Sequence, residues 1–119
     1  MPFLFLTRNC PNGTGVACDA DGGEGADTIN GGAGHDTLSG DAGNDAIYGG
    51  DGDDVIFDGW GDDFVDAGWG NDSIFGKEGD DLILAGDGHD LALGGLGRDQ
   101  MRGGGGNDWL DGQSGHDFI

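Results

Sequence analysis

A chain of 119 residues that carries 30 glycines and a formal charge of −20 is one domain at most and a poor candidate for an ordinary globule. So acidic a surface excludes a nucleic-acid partner, whose phosphates would repel it. Low hydrophobicity at such a charge describes a disordered polymer unless something neutralises the carboxylates.

At the start of the chain, Pro2-Phe3-Leu4-Phe5-Leu6-Thr7 predicts one short apolar strand. It is too short for a membrane span, and it lacks the basic start and long apolar run of an export leader. Cys10 and Cys18 follow, around a Pro11-Asn12-Gly13 turn. In an oxidising compartment the two close a small disulfide loop. Otherwise they are two thiols, one of them inside a degenerate half-turn at residues 13–21. Residues 1–21 form an N-terminal segment that either caps its own chain or docks on a neighbour.

From Gly22 to Ile119 the sequence repeats every nine residues, as ten full nonads and an eleventh that lacks its last residue, without an insertion. The fourth position is glycine in every copy, from Gly25 to Gly115. The sixth is always aspartate: Asp27, Asp36, Asp45, Asp54, Asp63, Asp72, Asp81, Asp90, Asp99, Asp108 and Asp117. The eighth is always apolar, running from Ile29 and Leu38 to Leu110 and Ile119. The glycine-rich opening of each nonad lets the backbone take positive φ and turn its carbonyls inward. The fifth position is mostly Asn, Asp or His, the non-glycine residues that best tolerate a left-handed backbone, so these are expected to adopt it. His35, His89 and His116 all fall there, which makes them turn residues and not catalytic or zinc-binding groups. Departures are few: Asp58, Ala67 and Ala85 at the first position, and Asp41, Lys77 and Gln113 at the second. Those positions offer mainly carbonyls, so the turns keep their donors.

A core of one small apolar side chain per nonad cannot offset the entropy of ordering so glycine-rich a chain. A divalent cation with oxygen ligands would cancel the carboxylate repulsion and join the turns. Calcium accepts the irregular shell that carbonyls and carboxylates supply, whereas magnesium demands a tighter octahedron. Zinc prefers Cys and His, which are scarce here.

The repeated G-G-x-G-x-D-x-U-x pattern resembles the RTX family, the hemolysin-type calcium-binding repeat, over about four-fifths of the chain. The resemblance implies an all-β fold, a right-handed parallel β-roll or β-solenoid with two nonads per coil, over residues 22–119. Each nonad is then a six-residue turn followed by a three-residue strand, and odd and even repeats stack on opposite sides. It also implies that calcium sits between same-side turns. The ligands would be the eleven sixth-position aspartates and backbone carbonyls of turn residues such as Gly31, Gly32, Gly40, Gly49, Gly50, Gly94, Gly95, Gly103 and Gly104. Eleven turns on two sides leave nine internal gaps, hence about nine calcium ions, and more if the ends stack.

Residues flanking the eighth position point outward. In even repeats they form an apolar stripe of Val55, Phe57, Phe75, Leu91, Leu93 and Trp109, which is expected to serve lateral contact with another chain. The chain stops inside a repeat at Ile119, with no capping segment and no C-terminal secretion signal. An open last coil and the apolar Phe3, Leu4, Phe5 and Leu6 are complementary surfaces, so head-to-tail stacking of copies is expected. The sequence therefore reads as an extracellular, calcium-dependent structural subunit that assembles with itself into fibres or a surface matrix. The alternative is a calcium-triggered folding and secretion module of a larger RTX toxin or protease. An enzyme is not expected, because no nucleophile–base pairing or zinc-protease motif stands outside the repeat.

Overall fold

A computed structural model describes residues 7–9 and 18–119. Phe3, Leu4, Phe5, Leu6, Cys10 and the turn after it lie outside the described residues. Those described contain no helix, and the strands in chain order are β1 (Thr7–Asn9), β2 (Asp19–Asp21), β3 (Thr28–Ala33), β4 (Thr37–Ser39), β5 (Ala46–Asp51) and β6 (Val55–Phe57). They continue as β7 (Phe64–Trp69), β8 (Ser73–Phe75), β9 (Leu82–Asp87), β10 (Leu91–Gly97), β11 (Gln100–Gly105) and β12 (Trp109–Gly115). Odd-numbered strands make one six-stranded sheet and even-numbered strands another, so consecutive strands alternate between the two. Every pairing is parallel, and each coil lies in register on the last: Ile29 is opposite Ile47, Ile47 opposite Val65, and Leu38 opposite Ile56. The chain is a parallel β-solenoid with two nonads per coil, as the repeat implied.

The eighth-position side chains fill the space between the sheets. Ile29, Ile47, Val65, Ile83 and Met101 come from one sheet, and Leu38, Ile56, Ile74 and Ala92 from the other, all of them buried. Ala20 in β2 continues this row, so the half-turn before Gly22 stacks as a coil of the same kind. The three-residue strands bury only their central side chain, while the longer β7 and β9 bury Ala67 and Ala85 as well.

Strand length exceeds the expected three residues in β3, β5, β7, β9 and β11 of one sheet and in β10 and β12 of the other. In β3, β5 and β7 pairing runs on into the next turn, through Gly32–Gly50–Gly68 and Ala33–Asp51–Trp69. On the opposite side the turns touch at single bridges along Glu24, Ala42, Trp60, Glu78 and Leu96. The fourth-position glycine has a steric reason. Gly52 adopts φ 123°, and a Cβ there would collide with the carbonyl oxygen of Gly34 one coil back. No other residue combines that dihedral with so close a backbone approach.

Candidate metal sites in the turns

Each turn presents its sixth-position aspartate to the coil beneath it. The N–H of Asp27 donates to Oδ1 of Asp45 at 2.8 Å, that of Asp45 to Asp63 at 2.7 Å, and that of Asp63 to Asp81 at 2.9 Å. The other side repeats the bond from Asp36 to Asp54, from Asp54 to Asp72 and from Asp72 to Asp90, each at 2.8 Å. The ladder starts at Cys18, whose N–H donates to Asp36 Oδ1 at 2.7 Å from the place an aspartate would hold. Cys18 is disulfide-bonded, and Cys10 falls among the residues not described.

The second carboxylate oxygen is left over. In Asp36, Asp45, Asp54, Asp63, Asp72, Asp81, Asp90 and Asp99 the Oδ2 atom is buried with no hydrogen-bond partner. Its surroundings explain why the turn opens with glycine. A Cβ on Gly22 would lie 2.9 Å from Asp27 Oδ2 and 2.8 Å from the carbonyl oxygen of Gly40, one coil on. At Gly31 the same point faces Asp36 Oδ2, at 2.7 Å, and the Gly49 carbonyl. At Gly40 it faces Asp45 Oδ2, at 2.6 Å, and the Asp58 carbonyl. Carboxylate and carbonyl oxygens thus converge on a pocket that supplies no donor. Oxygens that face one another without a proton between them need a cation, and an all-oxygen set suits a hard one. The residues present therefore fit calcium.

Electrostatics point the same way. Burial pushes the carboxyls of Asp63, Asp72 and Asp81 up to about 7 and those of Asp45 and Asp54 up to about 6. The accepted backbone hydrogen bond opposes burial in each, and the neighbouring aspartates add to it. Asp90 and Asp99 are raised for the same first reason. Asp108 and Asp117, in the last turns, are only half-buried.

Two features of the turns were not expected from the repeat. The fifth-position residues are not left-handed. Among the described residues, the non-glycine positions with positive φ are Asp41 (71°), Lys77 (66°) and Gln113 (68°), all second in their nonads. Instead, fifth-position side chains accept from the backbone one coil on: Asn44 Oδ1 from Asp62 N–H at 3.0 Å, Asp53 Oδ1 from Asn71 at 2.8 Å, and His89 Nδ1 from Asn107 at 3.0 Å. Asn, Asp and His recur there because each is short and carries an acceptor at the right reach. The other feature is Asp58, fully buried at a first position, with Oδ1 accepting from Gly59 N–H at 2.8 Å and Oδ2 unpartnered. A lone acid among first-position Gly and Ala was the available sign.

The outward apolar residues sit where the alternation put them, but they cover one another. Phe57 and Phe75 stack at 5.1 Å between ring centroids, with Lys77 Nζ 5.5 Å from the Phe57 ring, and Phe57, Phe75, Leu91 and Leu93 are half-buried. Among the described residues, the large apolar side chains more than half exposed are Trp60 and Trp69 in the turns, Leu96 in β10, and Trp109, Phe118 and Ile119 in the last coil.

The family model described as the RTX calcium-binding nonapeptide repeat matches in four overlapping copies, over residues 21–56, 39–74, 66–101 and 84–119. No curated protein matches the chain.

Proposed function

The chain belongs to the family of RTX calcium-binding nonapeptide repeats, and from that premise we propose that it is an extracellular structural subunit that folds on calcium and associates with copies of itself. The observation that carries the calcium step is the row of buried, unpartnered Oδ2 atoms, which at Asp36, Asp45, Asp54, Asp81 and Asp99 share the gap with a carbonyl of the next coil. Without an ion these oxygens lack any partner, and the coils repel one another. With one ion per gap, about nine in all, the positive charge offsets nearly all of the formal −20. The role is binding and scaffolding, not catalysis.

Self-association is supported by Trp60 and Trp69, which are 58 % and 64 % exposed where the turns face outward. Negative-stain microscopy of the chain with and without calcium tests this. Fibres many times longer than one six-stranded stack, present only with calcium, are the expected result. Monodisperse short rods would leave the second reading, a calcium-triggered folding and secretion module of a larger toxin or protease. That reading is favoured by how completely the buried acids tie the fold to the ion. If excess calcium induces no β-structure at all, both readings fail.

A further inference from the structure

Most turns open with a glycine, and its missing Cβ lets an aspartate oxygen of its own turn and a carbonyl oxygen of the next coil draw close. The turn at residues 58–63 puts a carboxylate there instead. Asp58 is 0 % exposed. One of its oxygens is occupied by the adjoining Gly59 N–H, and the other is buried without a partner. One carboxylate oxygen each from Asp58, Asp63 and Asp81 lies within 4.8 Å of the others. Asp63 is the sixth-position residue of the same turn, and Asp81 is its counterpart one coil on. The gap between turns 58–63 and 76–81 is thus bounded by three buried carboxylates, whereas the preceding gap on this side has only Asp45 and Asp63. Among the described residues no other group of three acids comes together in this way.

We propose that Asp58 is a side-chain ligand which makes this gap the tightest calcium site of the roll and the first to fill as calcium rises. The inference rests on the calcium-dependent reading above and adds an order of loading to it. Calcium affinity grows with the number of charged ligands and with the rigidity of the site, and here both are high. The gap lies mid-roll, with stacked turns on either side. In a solenoid each coil contacts only its neighbours, so the first coils to be joined are the nucleus from which pairing spreads both ways. An extra carboxylate at either end would lack that effect. The alternative for Asp58 is a protonated, neutral residue that fills space and takes no part in binding.

The test is a calcium titration of the full chain, followed by calorimetry and by far-ultraviolet circular dichroism. Asp58→Gly restores the residue found in most other turns, and Asp58→Asn keeps the shape without the charge. Both are expected to abolish the first, tightest binding phase and to move the folding midpoint roughly tenfold higher in calcium. The β-content at saturating calcium should stay that of the parent. Asp66→Asn, an outward acid of the neighbouring strand, should shift neither. If the two Asp58 variants bind as tightly as the parent, or fold at lower calcium, Asp58 is a neutral filler and the proposal is wrong. That outcome is distinct from failure of the calcium reading itself, in which the parent chain would show no calcium-dependent β signal.

Discussion

The backbone N–H of Asp45 donates to Oδ1 of Asp63, eighteen residues on, at 2.7 Å. One position earlier in the same two turns the direction reverses, and Asn44 Oδ1 accepts from Asp62 N–H at 3.0 Å. The turns are therefore laced by two ladders running opposite ways, one buried and one exposed. The buried ladder uses only half of each carboxylate, and the other half faces the gap where a cation fits.

Replacing one such oxygen should separate ion binding from folding. In Asp54→Asn the amide keeps an acceptor for Asp36 N–H and turns a donor toward the Ala67 carbonyl that shares the gap with Oδ2. The variant should need roughly tenfold more calcium to fold, yet show more β-structure than the parent when metal-free. Circular dichroism against free calcium measures both. Asp117→Asn, at a half-buried position, should do much less.

Protons should substitute for calcium. Asp63, Asp72 and Asp81 are pushed up to about 7 and Asp45 and Asp54 to about 6 in the folded roll, against about 3.9 for an unfolded chain. The metal-free fold holds protons that the unfolded chain releases. This stabilisation is complete below about pH 4 and is lost as the pH rises through 6 and 7. Metal-stripped protein should gain β-structure on acidification and lose it by about pH 8. In calcium the trend reverses, since protons compete for the same oxygens and binding weakens below about pH 6. Greater order of the metal-free chain in alkali than in acid would contradict this.

The first position should tune affinity by volume. Ala67 and Ala85 carry the methyl group that Gly49 lacks, and a Cβ on Gly49 would lie 2.6 Å from Asp54 Oδ2. Gly49→Ala should weaken calcium binding in its gap by several-fold. Ala67→Gly should strengthen binding in its own gap, while lowering intrinsic stability by about 0.5–1 kcal/mol through added chain entropy. Calorimetric titration separates the two effects. Equal affinities would show that the gaps widen freely.

The exposed ladder should matter for stability alone. Asn71 Oδ1 accepts from His89 N–H at 2.8 Å on the surface of the turn. Asn71→Ala should cost about 0.5–1.5 kcal/mol in thermal unfolding of the calcium-loaded protein. The number of ions bound should not change, and a lost ion would mean that the fifth position helps to shape the gap.

A nine-residue period with Gly fourth, Asp sixth and an apolar residue eighth was enough to place every coil, because a parallel roll in register has no freedom once its pitch is set. The pairing of Ile29 with Ile47 and the burial of Asp27 through Asp99 follow directly from that period. What stayed hidden were relations between residues eighteen apart, which depend on the direction of each side chain across a gap. The role of Asn44 and His89 as acceptors, the division of labour between Oδ1 and Oδ2, and the left-handed Lys77 and Gln113 all belong to that class. So does Asp58: in one dimension it is a departure from glycine, and only stacking puts its carboxylate beside those of Asp63 and Asp81. Composition and repeat determined that this chain is a calcium-binding roll, because one local pattern dictates every turn. The coil-on-coil geometry decided which oxygens are left for the ion, because that is settled by whichever backbone N–H lies across the gap.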